Sequence, residues 1–470
     1  MKPTLRQISP LRIIAPLALG IMLSACAVGP DYVRPASELP TCYPLADGGQ
    51  IKTERQWWTQ FKDPTLDGLV GKALDQNKDL RLAMARVLEA QASVGEVRAV
   101  LFPQFDLEAN GRNTRASSKG FDVGGNLPSH RETRAVALTT AYEIDIWGRS
   151  RRASEAARAR LAASEYGRDA ITLSVAAMVS QHYFALRSLD ESLRLMAESR
   201  MAQQRTRDLV KLRVDAGLSS ELDLSRAASA LAAIDAQLAG LREQRALREH
   251  VLGLLTGQPG LSLAAQDIST LGLPSAPPPG LPADLIERRP DVRQAEQVLI
   301  AANAGIGLAK AAYFPRLVLT GRAGLESQDL STLLDSGAST SVIGLGLSFP
   351  VLDFGKTAAQ VDGARARKDQ SWIQYQNALQ VAFKEVRDGF ASLGERAAAE
   401  TAQAERLRSA ERARSLATLR LQGGYTSLLE VLDAQRNYNE AAMASAEARR
   451  GRLAATVDVF KALGGGWTAP

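Results

Sequence analysis

The spacing of apolar residues changes in the same order in each half of the chain. Residues of about 66–100 and 284–312 are rich in Ala, Leu, Arg and Gln, and we predict one helix in each stretch. Each helix is predicted to end at a Phe-Pro pair, at 102–103 and 314–315, because proline cannot continue the helical hydrogen-bond ladder. The apolar period then becomes two, which indicates β-strands.

Four runs of residues after these pairs alternate between apolar and polar side chains. Their apolar members are Phe105, Leu107 and Ala109; then Val136, Leu138, Tyr142, Ile144 and Ile146; then Leu317, Leu319 and Leu325; and finally Ile343, Leu345, Leu347 and Phe349. The runs have roughly the 9–11 residues that a tilted membrane strand needs, although soluble hairpins packed on a core have the same pattern. Four strands cannot close a barrel and an open edge cannot face lipid, so a membrane location requires several chains to share one barrel.

Each hairpin leaves and returns on the same side, which predicts all helices on one side of the sheet and the loops 113–133 and 326–341 on the other. Very long helical stretches follow the strands. From Gly148 to Gly217, an unbroken helix would measure roughly 100 Å. Helices of this length are typical of coiled coils and barrel walls. We expect turns at 215–217 and 422–424, return helices that end at Gly257 and Gly464, and a proline-rich linker at 274–282.

An internal repeat accounts for this order of elements. Residues 79–103 align with 291–315 at an offset of 212 positions, without a gap. Residues 148–257 align with 355–464 at an offset of 207 positions, so only the segment between the two blocks changes in length. A repeat of this length indicates one structural unit made twice.

The N-terminus has the features of a bacterial export signal. Basic residues precede an apolar stretch from Ile13 to Ala25, and the sequence Leu-Ser-Ala-Cys at 23–26 resembles a lipobox. We therefore predict a signal peptide at 1–25 and acylation of Cys26, the alternative being an ordinary signal with a chance cysteine. Ala27 follows where an aspartate would favour retention in the inner membrane, which favours the outer membrane.

Charge and cysteine content narrow the possible partners and cofactors. The net charge of +6 falls to about +3 once the signal peptide is removed, so the basic pI is a weak argument for nucleic-acid binding. Cys42 is the only cysteine after Cys26, which leaves no disulfide within the chain and no cysteine-based metal cluster. The histidines at 130, 182 and 250 lack metal-site spacing, and no nucleophile or phosphate-loop motif is present. We expect no cofactor, no metal site and no enzymatic activity.

Several ordered motifs together resemble the outer-membrane factors of tripartite efflux pumps, the TolC/OprM type, over nearly the whole mature chain. They are the sequence at 23–32, Trp57-Trp58 with Phe61, Asp63-Pro64 and Leu66, the two Phe-Pro pairs, the stretch 424–435, and Leu463 to Trp467. The resemblance implies a mixed α and β fold. Three chains would form a 12-stranded β-barrel in the outer membrane, continued by a periplasmic α-helical barrel and a belt built from the terminal segments and the linker.

The resemblance also implies a function and a set of partners. It implies a passive conduit that exports small molecules, which could be drugs, toxic compounds or metal ions. The resemblance implies that the chain assembles as a homotrimer. The implied partners are a periplasmic adaptor (membrane fusion) protein, an inner-membrane RND-type pump and outer-membrane lipids, and no nucleic acid is expected. A lipid-anchored coiled-coil structural or adhesion protein of the cell envelope is the alternative. It would neither conduct nor form a heat-resistant trimer, and it leaves the paired hairpins unexplained.

The repeat and the signal divide the chain into six expected segments. They are a signal peptide at 1–25, a lipid-anchored segment at 26–65, a first repeat at 66–260, a linker or belt at 261–283, a second repeat at 284–464 and a tail at 465–470. Trp57 and Trp58 precede the first helix, and we interpret them as packing or belt residues rather than as a ligand site.

The tips of the two long helical hairpins carry the same residue types at the same spacing. They are Arg213, Gly217 and Ser220 in the first repeat and Arg420, Gly424 and Ser427 in the second. In the family that the chain resembles, these tips meet the adaptor protein. The alternative is that the Gly and Ser residues only cap helices.

Glu430 and Asp433 match the positions at which carboxylates ring the periplasmic aperture in this family. Three copies of each would favour cation entry and the closed state. Their equivalents in the first repeat are Asp223 and Arg226. The exchange of aspartate for arginine suggests ion pairs between tips that hold the aperture shut. A solvated helix face with scattered charges is the alternative.

Overall fold

The computed structural model describes residues 27–35, 56–115, 117, 130–274 and 289–465. The predicted signal peptide, the acylation site Cys26, Cys42 and most of the predicted linker lie outside these residues, as does the tail from 466. Among the described residues, no helix is both long enough and apolar enough to span a membrane.

The described residues form seven helices and four strands, joined in places by short 3-10 turns. The helices are α1 (Pro64–Gln76), α2 (Lys78–Ala99), α3 (Arg149–Asp215), α4 (Glu221–Leu255), α5 (Pro290–Lys310), α6 (Lys356–Gln422) and α7 (Leu428–Ala462). The strands are β1 (Gln104–Arg115), β2 (His130–Ile144), β3 (Arg316–Ser327) and β4 (Ser339–Ser348). The helices and strands therefore occur in the order that the changes in apolar spacing along the sequence predict.

The single helix predicted over residues 66–100 is wrong, because the chain breaks it into α1 and α2 at Asn77. This residue is extended, with φ of −60° and ψ of 132°. Its Oδ1 accepts hydrogen bonds from the backbone N–H groups of Asp79 at 2.9 Å and Leu80 at 3.2 Å, as a helix N-cap does. Its Nδ2 donates to the carbonyl of Leu255 at 3.1 Å. The break thus satisfies the first amides of α2 and ties it to the end of α4.

The four strands form one antiparallel sheet in the order β1-β2-β3-β4. Leu107 lies opposite Leu138, and Leu319 lies opposite both Tyr142 and Leu345. Directly opposed side chains project from the same face of a sheet, so the apolar members of all four runs share one face, as the alternation predicts. Within the described chain, β1 and β4 each keep one edge without a partner strand.

The two long helical hairpins have identical lengths. Helices α3 and α6 each contain 67 residues, and α4 and α7 each contain 35. At 1.5 Å per residue, the longer helices measure roughly 100 Å, as expected from the sequence. Gly217 and Gly424 turn the chain with φ of +71° and +76°, a region that favours glycine over other residues.

The chain divides into two compact units, each built from several segments. One unit comprises the described residues within 1–36, 88–163 and 295–374, and it contains the sheet. The other comprises those within 37–87, 164–294 and 375–470. Its core includes Trp57, which is 1% exposed and stacks on Phe460 with ring centroids 5.5 Å apart. Trp58 is also buried, so the interpretation of both tryptophans as packing residues is confirmed.

Candidate channel tips and gate

The first hairpin tip is closed by a glycine turn and a helix cap. Gly217 donates its N–H to the carbonyl of Val214 at 2.9 Å, and Leu218 donates to the carbonyl of Arg213 at 2.7 Å. Ser220 then starts α4, because its Oγ accepts the N–H of Asp223 at 3.2 Å. The carboxylate of Asp223 accepts the backbone N–H of Ser220 at 3.4 Å, which completes a capping box, and it also accepts the Ser220 hydroxyl at 2.9 Å. These hydrogen bonds lower the pKa of Asp223.

The second tip has the same backbone turn but a different side-chain arrangement. Tyr425 donates its N–H to the carbonyl of Arg420 at 2.9 Å, which parallels the Leu218 bond of the first tip. Ser427 occupies the N-cap of α7, but its side chain makes no capping hydrogen bond within the described structure. The Thr426 hydroxyl donates to Glu430 instead, and Arg420 lies 3.8 Å from the same carboxylate. Glu430 is therefore held by its own hairpin.

Asp433 is held by residues one turn further along α7. Arg436 donates to its Oδ1 at 2.7 Å, and Asn437 donates to its Oδ2 at 3.3 Å. Within the described part of one chain, Asp433 thus pairs with Arg436 and not with Arg226. The cross-tip ion pair predicted between these positions is absent within a single chain, and a pair between chains stays a prediction.

The carboxylates at the second tip are open to solvent. The side chains of Glu430 and Asp433 are 52% and 54% exposed. Ion pairs with this exposure contribute little to stability, about 0–1 kcal/mol, because water screens them. Their charge is consequently available to ions or to a neighbouring chain.

Sequence reasoning missed the apolar surface that surrounds both tips. Leu212, Leu218 and Leu222 at the first tip are 67%, 71% and 58% exposed, and Leu419, Tyr425 and Leu429 at the second are 63%, 80% and 59% exposed. Each residue of the first trio is related to its counterpart by the 207-position offset of the repeat. An inspection of the repeat for apolar pairs around the turns would have found them. Clustered exposed apolar side chains are typical of a surface that binds a protein partner.

The helices behind the tips pack through a small apolar cluster. Val210, Ala227, Ala417, Leu421, Leu428 and Val431 are all buried there. Deeper along the hairpins, a buried polar network joins α3 to α7: Ser199 donates to Asn439 at 2.7 Å, and Gln435 donates to the same amide oxygen at 2.8 Å. Asp433 and Arg436 line a groove of about 400 Å³ between α4 and α7, and Glu430 is not among its lining residues. The tips therefore project from a packed base, while Asp433 borders an open groove.

A sequence model of one protein family, described as outer membrane efflux protein, matches residues 69–258 and 281–465. The chain belongs to the outer membrane efflux protein family. The family interpretation drawn from the motifs is confirmed.

Relatives within the outer membrane efflux protein family align with the chain over nearly its full length. The toluene efflux pump outer membrane protein TtgI of Pseudomonas putida is 34% identical over 463 residues, covering 96% of this chain and 98% of the relative. The cation efflux system protein CusC of Escherichia coli is 31% identical over 468 residues, covering 97% and 100%. The solved open state of the Neisseria gonorrhoeae MtrE outer membrane channel matches with a TM-score of 0.85 and 29% identity, covering 94% and 98%.

Membership of this outer membrane efflux protein family confirms the predicted general function. The chain is an outer-membrane channel component of an efflux pump. The family consists of efflux channels and not of enzymes, and it works in the outer membrane with pump partners. The alternative of a coiled-coil structural or adhesion protein is therefore wrong.

The different capping of the two tips leads to a prediction. Replacing Ser220 by alanine removes the acceptor for the Asp223 amide and one donor to its carboxylate, and helix caps of this kind contribute about 0.5–2 kcal/mol. We expect amide hydrogen exchange in the first tip to accelerate by roughly 2- to 30-fold. Ser427→Ala is the matched control, because the Ser427 side chain makes no such bond in the described structure. Equal acceleration of exchange by Ser220→Ala at the first tip and by Ser427→Ala at the second would contradict the assignment of Ser220, and not Ser427, as a capping side chain.

Proposed function

We propose that three copies of this chain form a passive channel that continues from the periplasm through the outer membrane. The sheet supports this proposal, because it combines one apolar face with two unpaired edges. Such a sheet satisfies its backbone in lipid only when further copies close it into a barrel. Three sheets of four strands would supply twelve strands, and α3, α4, α6 and α7 would form the wall of the periplasmic barrel.

Cys26 would be acylated and anchor each chain in the outer membrane. The repeats at 66–260 and 284–464 would supply equivalent halves, while the terminal segments and the linker would form a belt. The division into a signal, an anchor segment, two repeats, a linker and a tail is part of the same proposal.

The exposed apolar trios support docking of a periplasmic adaptor protein at the tips. Arg213 and Arg420 flank these trios and would add charged donors, while Gly217, Gly424, Ser220 and Ser427 would shape the turns. An inner-membrane RND-type pump would supply the energy, and the adaptor would couple it to the channel. Relatives named for toluene and for cations favour small molecules as the cargo, with the pump setting the choice.

The carboxylates of Glu430 and Asp433 would narrow and charge the periplasmic aperture in the closed state, with Asp223 and Arg226 as their counterparts on the first hairpin. Their solvent exposure supports this role, because three copies around one axis would place six carboxylates near the ion path. The Arg420 and Arg436 contacts would hold these side chains in place within each chain.

Planar-bilayer conductance of the purified acylated protein tests this proposal. We expect the wild type to form discrete channels that are mostly shut and prefer cations. In Glu430→Ala/Asp433→Ala, the open fraction should rise and the cation preference should fall, because the charged ring is removed. The matched control is Asp362→Ala/Glu405→Ala, which removes two exposed carboxylates that each pair with an arginine three residues away on α6, as Asp433 pairs with Arg436 on α7.

Equal conductance in the wild type and the gate variant would discard the gate and keep the conduit. An effect of the same size in the control would show that total charge, and not the aperture, is responsible. Membrane-inserted protein without conductance in any variant would contradict the passive channel.

A further inference from the structure

The two repeats meet within one chain where β2 lies beside β3, and this junction is closed by an aromatic stack. The rings of Trp147 and Phe314 lie 4.6 Å apart with an angle of 26° between their planes. Trp147 also donates its Nε1–H to the carbonyl of Pro315 at 2.8 Å. A residue three positions after β2 therefore packs on a residue two positions before β3.

The repeat provides the same two aromatic positions a second time, but they do not meet within the chain. The 207-position offset relates Trp147 to Phe354, and the 212-position offset relates Phe314 to Phe102. Phe354 is 92% exposed and Phe102 is 59% exposed. Phe354 also has a φ of 51°, which is uncommon for a bulky residue. An exposed aromatic residue on a strained backbone motivates the hypothesis that it makes a contact outside the single chain.

Two glycine pairs show the same contrast. A Cβ added at Gly307 would lie 2.6 Å from the Val28 carbonyl and 2.9 Å from the Arg152 Cγ, whereas its equivalent Gly95 has nothing within 4 Å. A Cβ at Gly148 would lie 2.8 Å from the Cβ of Ala27, whereas Gly355 again has nothing within 4 Å. The close neighbours of Gly307 and Gly148 come largely from residues 27–28, which lie outside the repeat, so these glycines mark an asymmetry between the repeats and the aromatic positions carry the comparison.

The strands at these open positions are the two free edges of the sheet. At the internal junction, Tyr142 pairs with Leu319 and Ile144 pairs with Leu317. The same register can be transferred to the free edges by adding 207 to the residue numbers of β2 and subtracting 212 from those of β3. It then places Phe349 opposite Leu107 and Val351 opposite Phe105. These four side chains are 53%, 75%, 89% and 63% exposed, respectively. Leu107 and Phe105 lie on β1, while Phe349 and Val351 follow the end of β4, and the unpaired backbone edges of β1 and β4 are templates for another strand.

We propose that a second copy of this chain lays its β1 along β4 in this register and packs its Phe102 on Phe354. The inference rests on the proposed trimer and specifies how its subunits join. The same junction would then occur six times around the barrel, three times within chains and three times between them. The aromatic pairs would form a ring where the strands end and the helices begin.

Disulfide cross-linking tests the register. Transferring the Ala141–Thr320 pair of the internal junction places Ser348 opposite Glu108 of the second copy. In a Cys42→Ser background, Glu108→Cys/Ser348→Cys should form covalent dimers and trimers with copper phenanthroline, because opposed Cα atoms lie about 4.5–5.5 Å apart. Arg112→Cys/Ser348→Cys is the control, because its cysteines would lie about 13 Å apart along the strand.

Cross-linking of the control pair, or of neither pair in protein that still migrates as a trimer on unboiled gels, would overturn the register and leave the trimer standing. The absence of any trimer in all variants, including the wild type, would overturn both the register and the trimer of the proposed function.

The aromatic contact has its own test. Phe354→Ala and Phe102→Ala should each lower the temperature at which the trimer dissociates, and the double variant should fall no further, because either substitution removes the same stack. Phe354→Trp should retain the wild-type temperature. Leu334→Ala, which is 85% exposed in the loop between β3 and β4, is the control and should have no effect. Additive losses from the two phenylalanines would overturn the contact.

Discussion

Leu345→Arg is expected to prevent stable insertion of the sheet, whereas Gly346→Arg, one residue further along the same strand, is expected to be tolerated. Leu345 lies on the apolar face between Ile343 and Leu347, and it is 64% exposed in the single chain. If this face contacts lipid, an arginine there costs about 2–4 kcal/mol near the bilayer midplane. The cost would occur three times in a trimer.

Gly346 is a close control because it shares the depth and the strand but projects from the other face. A Cβ at Gly346 would have only the Val318 carbonyl nearby, at 3.9 Å, so the backbone leaves room for a side chain. Val318 lies opposite both Gly346 and Glu143, so an arginine at 346 would project from the same face as that carboxylate. A charge on this face is compatible with a water-filled barrel interior.

The measurement is the urea concentration at which vesicle-reconstituted protein loses its heat-modifiable band on unboiled gels. Leu345→Arg should lower this concentration or abolish the band, and Gly346→Arg should remain close to the wild type. A greater loss for Gly346→Arg would mean that the polar face contacts lipid, and equal losses would mean that neither face does.

The elements that depend on periodicity were predictable from the sequence. The apolar faces of β1 to β4 and the lengths of α3 and α6 follow from side-chain spacing, which the backbone geometry of strands and helices converts directly into faces and lengths. The glycine turns at Gly217 and Gly424 were predictable for the same local reason, because a left-handed φ favours glycine.

Features that depend on distant partners were not predictable. The break at Asn77 combines a local N-cap with a hydrogen bond to the carbonyl of Leu255, which is 178 positions away, and local composition gave no sign of that second contact. The cross-tip pair was expected from charge alone; within one chain Asp433 pairs with Arg436, one turn along the same helix, and a pair between chains stays a prediction. The exposed apolar residues of the tips were overlooked because leucines in a long helix are ordinarily read as core.

Asp190 is another residue whose importance emerges only from the tertiary structure. On α3, its carboxylate accepts from Arg187 at 2.7 Å and from Arg245 of α4 at 2.6 Å. It also accepts the backbone N–H of Gln266 at 3.3 Å. The side chain is 2% exposed, as is that of Arg187. In sequence it is one acidic residue among many on a charged helix.

The two arginines extend this cluster to the segment that follows α4. Arg187 donates to the carbonyl of Ala264 at 2.6 Å, and Arg245 donates to the carbonyl of Leu263 at 2.7 Å. The Arg187 guanidinium also lies 4.6 Å from the centre of the Tyr183 ring. Asp190 therefore supplies the carboxylate that pairs with Arg187, and it shares Arg245 with Glu249, 2.9 Å away, so that both arginines hold the irregular segment against α3 and α4.

We expect Asp190→Ala to lower the free energy of unfolding by about 3–5 kcal/mol, because it leaves Arg187 buried without its carboxylate. The measurement is thermal unfolding by circular dichroism in detergent. Glu198→Ala is the matched control on the same helix, since its pair with Arg194 is about half exposed and contributes less than about 1 kcal/mol. Asp190→Asn separates charge from shape: it retains an acceptor but no negative charge, so it should lower the melting temperature nearly as much as alanine. Melting of Asp190→Ala at the temperature of Glu198→Ala would mean that the carbonyl contacts suffice for Arg187, and that these contacts together with Glu249, 2.9 Å away, suffice for Arg245.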